Sequence, residues 1–118
     1  MSLPYDDNRY VATVLSHHDG DTSHVQMMLG ADVTVALTVR WYGINSPELA
    51  TPEGKDALAY LNGLLPPGTE VLVQSVKSGK EKYGRYLAKI WPRNGEGLTY
   101  GQQMIDAGHA VAYFGGAR

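Results

Sequence analysis

The stretch Arg40-Trp41-Tyr42-Gly43-Ile44-Asn45-Ser46-Pro47-Glu48 carries a cation, an amide and a carboxylate, spaced so that all three can reach one point. Upstream lies an acidic turn, Asp19-Gly20-Asp21-Thr22, and downstream a basic one, Glu81-Lys82-Tyr83-Gly84-Arg85. Phosphodiester cleavage asks for these residue types. The phosphate is anionic and repels nucleophiles, so a catalyst must neutralise phosphoryl oxygens, deprotonate water and place donors for transition-state charge. Asp21 and Asn45 offer hard oxygen ligands and the Ser46 backbone carbonyl another, a set suited to Ca2+ rather than zinc. Glu48 can reach such a metal through water and act as general base. Arg40 and Arg85 can each grip phosphate oxygens bidentately, which lysine cannot copy. Lys82 and Tyr83, beside Arg85, can hold a terminal phosphate or stack a base.

Each piece also has a plainer reading. Asp-Gly-Asp is a common turn, Arg40 and Glu48 can form a surface pair, and Pro-Glu after a strand is an ordinary approach to a helix. His17, His18 and His24 match no standard zinc spacing and read as solvated or locally bonded. His109 reads as a helix-end residue, and Trp41 and Trp91 as core or barrel-edge residues.

The elements that must position these groups are legible. Tyr10 to Leu15 and Thr22 to Leu29 read as strands, joined by a turn in which Gly20 is free to adopt positive φ. Gly30-Ala31-Asp32 turns the chain into a third strand, where Val33, Val35, Leu37 and Val39 recur at period two. Thr51-Pro52-Glu53 opens a helix, with Thr51 as N-cap and Pro52 at the first helical position. Its core stripe is Ala57, Leu58, Leu61, Leu64 and Leu65, and Pro66-Pro67-Gly68 stops it. Glu70 to Val76 and Tyr86 to Trp91 read as the fourth and fifth strands. Thr99 to Ala107 reads as a second helix with Met104 and Ile105 inward and Gly108 closing it. The fold class is therefore α+β, mainly β: a five-stranded OB-fold barrel, one helix between strands three and four, a second near the C-terminus.

The bulk numbers agree with a single domain spanning 1–118. The absence of cysteine excludes disulfides and thiolate metal sites. No apolar run suits a membrane span, and residues 1 to 7 show no signal-peptide pattern, so the expected location is cytoplasmic and the expected state monomeric. Net charge is −2, which by itself argues weakly against nucleic acid. Distribution argues the other way: Lys77, Lys80, Lys82, Arg85, Lys89 and Arg93 cluster against one acid, Glu81, a local positive patch.

Together these loops resemble the staphylococcal nuclease (thermonuclease) family over roughly Tyr10 to Tyr113. The resemblance rests on Asp19 to Thr22, on Arg40 with Gly43 to Glu48, on Lys82 to Ala88, and on Ala107 to Tyr113. It implies a Ca2+-dependent phosphodiesterase acting on DNA or RNA and leaving 3′-phosphate ends. By that resemblance Arg40, Glu48 and Arg85 match the catalytic trio, and Asp21, Asn45 and Ser46 fall at metal-ligand positions. Lys82, Tyr83 and Tyr113 fall at or near nucleotide-contacting positions. Asn45 stands where the family usually has aspartate; one ligand charge fewer implies weaker Ca2+ binding. The competing expectation is a catalytically weakened or inactive nucleic-acid-binding OB module, with a protein-interaction OB domain third.

Overall fold

The computed structural model describes residues 9–76 and 86–113. Its strands are β1 (Arg9–Asp19), β2 (Thr22–Gly30), β3 (Val33–Trp41), β4 (Ile44–Asn45), β5 (Glu70–Ser75), β6 (Tyr86–Pro92) and β7 (Val111–Ala112), with helices α1 (Pro52–Leu64) and α2 (Tyr100–Asp106). Five strands close into a barrel in the order β1-β2-β3-β6-β5, and β5 pairs back to β1. All pairings in the barrel are antiparallel except β3 with β6, which run parallel. This is the expected OB-type barrel, with α1 between the third and fourth barrel strands. The two-residue sheet of β4 and β7 is an addition that no periodicity signalled.

The first strand is longer than its β-rich stretch suggests. It continues to Asp19 through irregularities between Val14 and Ser16 and between His17 and Asp19. A bulge shifts the in–out alternation by one residue. Ala12 and Val14 face the core, Ser16 is exposed, and His17 turns inward. At the other end of the β2–β3 hairpin, Ala31 and Asp32 both take positive φ, 52° and 63°. That is the turn geometry whose twist matches a two-residue hairpin, occupied here by residues other than the favoured Asn-Gly.

α1 begins as its sequence dictates. Thr51 Oγ1 accepts from the Gly54 N–H at 3.0 Å, Pro52 occupies the first turn, and Glu53 sits at the positive end of the helix dipole. Ala57, Leu61 and Leu65 are fully buried, with Leu64 packed beside them. Gly108 ends α2 with φ 82°. There the His109 N–H bonds Met104 O and the Gly108 N–H bonds Ile105 O, the paired bonds of a Schellman closure.

The two ends of the barrel differ. Helices and buried polar groups close one end, where Gly101 of α2 lies against Ile44 and Trp41. Among the described residues the other end opens into a cavity of about 330 Å³, lined mainly by apolar residues such as Tyr10, Met27, Leu29, Val35, Leu37 and Tyr86. Among the described residues no helix is long and apolar enough to cross a membrane.

Candidate active site

Asp21, Arg40 and Ser46 meet at the closed end. Thr22 of β2 pairs with Arg40 of β3, which sets Asp21 beside the last residues of β3. Val39 and Trp41 point into the core, so Arg40 points outward, and the Ile44–Ser46 segment folds back over it. The Arg40 guanidinium donates from Nη1 to Trp41 O at 2.7 Å and from Nη2 to Ile44 O at 2.9 Å, and Nη2 lies 3.6 Å from Asp21 Oδ2. The Ser46 N–H donates to the same Oδ2 at 2.9 Å, and the Thr22 hydroxyl donates to Oδ1 at 3.3 Å. Asp21, Arg40 and Ser46 are all buried, so each of these bonds forms away from bulk water and holds its partner firmly.

Burial alone would raise the Asp21 pKa. Hydrogen bonds from Asp19 and Ser46 and the Arg40 charge outweigh that and hold the carboxyl below its ordinary range. Asp19 shifts the other way: burial, then its hydrogen bond and charge contact with Asp21, push it up. The Asp21 N–H meanwhile donates to Asp19 Oδ1 at 3.0 Å. Two carboxyls at one strand end thus compete for protons, a concentration of hard oxygen donors. Asp21, the Asn45 amide and a Ser46 backbone oxygen are of a chemistry that fits Ca2+. The set is poor in charge, and among the described residues no three His, Cys, Asp or Glu side chains cluster as a metal site.

Glu48 is exposed, on the segment leading into α1. Its carbonyl accepts from the Thr51 N–H and hydroxyl at 2.9 and 2.6 Å, tying the segment to the helix cap. Two glycines set its path, and the sequence reading missed the role of both. A Cβ on Gly54 would collide with the Glu48 carbonyl. A Cβ on Gly20 would lie 2.7 Å from Ser46 Cβ and 3.1 Å from Ala57 Cβ. Gly20 is therefore required for close approach, and its φ is not among the positive ones, which corrects the expectation of a left-handed turn residue. The signal for Gly54 was its place in the first turn of a helix that starts four residues after Glu48.

A second polar network lies just inside the barrel wall. The Trp41 Nε1–H donates to Ser23 Oγ at 2.9 Å, and Ser23 Oγ lies 2.7 Å from His17 Nδ1. His17 Nε2 lies 2.8 Å from Leu65 O at the end of α1. A carbonyl only accepts, so Nε2 carries the proton, and in the neutral ring Nδ1 accepts from the Ser23 hydroxyl. His17 was expected to be solvated or locally bonded; it is bonded locally to Ser23 and also to Leu65 at the end of α1, 48 residues away. His24 bonds Thr38 on the neighbouring strand at 2.9 Å. His109 follows α2 and stacks on Tyr60 with ring centroids 4.6 Å apart.

Tyr113 lies at the rim of the site, its N–H bonded to Gly43 O at 2.9 Å, and β7 beside it pairs with Ile44 and Asn45. Lys82, Tyr83 and Arg85 lie outside the described residues. β6 begins immediately after position 85, and its first residue, Tyr86, pairs with Val39 next to Arg40.

The fold is a small mixed barrel of OB type with a buried Arg–Asp pair beside the Ile44–Ser46 segment at the strand ends. Residues 38–117, more than half of the chain, match the family described as staphylococcal nuclease homologue, and the chain belongs to that family. The match begins at Thr38, so β1, β2, the first part of β3 and Asp21 lie outside it. No curated protein matched the chain.

Proposed function

We propose that this chain is a metal-dependent nuclease that hydrolyses phosphodiester bonds of DNA or RNA and leaves 3′-phosphate ends. The observation that carries this reading is the convergence of Asp21, Arg40 and Ser46 at adjoining strand ends, with Glu48 on the segment that follows. Asp21, Asn45 and the Ser46 backbone oxygen are the residues that would hold Ca2+. When bound, the ion supplies charge neutralisation at a phosphoryl oxygen and makes water more acidic. Arg40 and Arg85 hold the phosphoryl oxygens. The carbonyl bonds of Arg40 keep its guanidinium in place before substrate arrives, so little ordering is left for the moment of reaction. Glu48 takes a proton from the attacking water and the 5′-oxygen leaves. Lys82, Tyr83 and Tyr113 are the residues that would contact the nucleotide.

One observation favours a second reading, a nucleic-acid-binding module of the same family. Both Asp21 oxygens already accept protein donors, and Asn45 brings no charge. A single experiment separates the two. Cleavage of single-stranded and duplex DNA is measured with and without millimolar Ca2+, in the unmutated protein and in Glu48→Gln. Cleavage that needs the metal and falls by about 10²–10⁴-fold in the variant supports the nuclease. Binding without cleavage under every metal tried supports the module.

A further inference from the structure

Trp41 is joined to the candidate site through its backbone and to the barrel interior through its side chain. Its N–H donates to Asp21 O at 2.9 Å, and its carbonyl accepts from Arg40 Nη1 at 2.7 Å. One residue thus holds both the strand end that carries Asp21 and the guanidinium of Arg40. The indole points the other way and is buried. Its Nε1–H donates to Ser23 Oγ at 2.9 Å, and the Ser23 hydroxyl donates to His17 Nδ1 at 2.7 Å. The His17 Nε2–H donates in turn to Leu65 O at 2.8 Å. Leu65 is itself fixed. Its N–H bonds Leu61 O in the last turn of α1, and just beyond it the Gly68 N–H bonds Val14 O of β1.

On the reading of Arg40 and Asp21 as groups that act on a phosphodiester, we infer that His17 and Ser23 are positioning residues for that site. They form a hydrogen-bonded strut from the end of α1 to the Trp41 indole, and the strut sets the direction in which Arg40 points. Buried chains of this kind also form simply to satisfy polar groups. What points to positioning is where the chain ends. Its outer member is the residue whose backbone holds Arg40 and Asp21, so a turn of the indole moves both. The chain also has one direction. With Nε2 of His17 committed to a carbonyl, the single Ser23 proton goes to Nδ1, which leaves an oxygen lone pair for the indole. Ser23 follows Thr22, whose hydroxyl donates to Asp21 Oδ1 at 3.3 Å and whose backbone pairs with Arg40. Adjacent hydroxyls of β2 thus serve the two sides of the sheet, one the carboxylate and the other the indole. An apolar residue at position 23 would fill the core as well but would leave the indole free to turn. Small displacements of a holding group carry large costs in rate, which gives such a strut its use.

Heteronuclear NMR of the guanidinium groups tests the strut without relying on cleavage. A guanidinium held by two carbonyls turns slowly about its Cζ–Nη bonds. Arg40 is therefore expected to give separate Nη signals in the unmutated protein, identified by their disappearance in Arg40→Lys. Ser23→Ala is expected to merge them while the rest of the spectrum stays that of a folded protein. His17→Phe keeps a ring but removes both of its bonds, and the same merging is expected there, a second reading should Ser23→Ala fail to fold. Val73→Ala truncates the buried core on β5 and lowers stability away from the site, and is expected to leave the Arg40 signals separate. Turnover of DNA in millimolar Ca2+ is then compared. In Ser23→Ala and His17→Phe kcat is expected to fall about tenfold, and in Val73→Ala to stay within about twofold. Separate Arg40 signals in the folded Ser23→Ala or His17→Phe variant, or an equal loss of kcat in Val73→Ala, would overturn the strut. Merged Arg40 signals in Ser23→Ala together with no cleavage by the unmutated protein would overturn the nuclease and leave the strut standing.

Discussion

The closed and open ends of the barrel are built on opposite principles. At the closed end, polar side chains are buried in numbers, Asp21, Thr22, Ser23, Arg40 and Ser46, and among the described residues no buried side-chain nitrogen or oxygen lacks a partner. At the open end the wall is apolar, a cavity of about 330 Å³ remains, and Leu29 and Val33 are exposed. A hydrogen-bonded network accepts few geometries, whereas an apolar surface packs in many. Candidate chemistry sits where position is tightly specified, and the far mouth is free of that demand.

A matched pair of leucines gives the sharpest contrast. Leu61 is fully buried on the inward face of α1 and Leu37 lines the open mouth. Leu61→Ala is expected to destabilise by about 3 kcal/mol and Leu37→Ala by about 1 kcal/mol, because the mouth already lacks part of the packing that truncation removes. Urea melts of the two variants check this, and equal losses would erase the distinction between the ends.

Next in size is Ser23→Ala, which leaves Trp41 Nε1 and His17 Nδ1 facing each other with no bridge. A cost of about 2 kcal/mol is expected from stranding buried polar groups, again by urea melt. A loss near zero would mean that water replaces the hydroxyl and that the network is less exacting than its distances suggest.

His17 sharpens the contrast with pH. Burial lowers its pKa below 6.5, against the Leu65 carbonyl bond that raises it, and the nearby His24 adds a smaller lowering. The folded state therefore binds fewer protons than the unfolded one below 6.5. The stabilisation is complete above 6.5 and drains as pH falls from there through the lower folded value. Stability measured from pH 7 to 5 should decline in the unmutated protein and decline less in His17→Gln. The same slope in both would place the titration elsewhere.

The smallest effect is at the hairpin tip beyond the open mouth. Ala31 holds φ 52°, a region in which an alanine is strained. Ala31→Asn is expected to raise stability by about 0.5–1 kcal/mol, since asparagine tolerates the left-handed conformation. A gain there, with no change at the site, would confirm that the two ends answer separately.

Sequence alone determined the local elements and the residue types of the site. Alternation of valines marked β3, Thr51-Pro52-Glu53 marked the start of α1, and Gly108 marked the end of α2, because periodicity and capping act between near neighbours in the chain. Arg40, Asn45, Ser46 and Glu48 were readable as a group for the same reason. Only the tertiary structure decided what lies across the barrel. The β2–β3 register brought Asp21 to Arg40, a bulge in β1 turned His17 toward Ser23 and Leu65, and close approach made Gly20 and Gly54 obligatory. Those contacts join residues tens of positions apart, and their energies arise from burial and shape that no local window contains. The far mouth shows the same limit: Val33, Val35 and Leu37 alternate as core residues do, yet the barrel leaves Val33 exposed and the other two half-buried because no element packs over that end among the described residues.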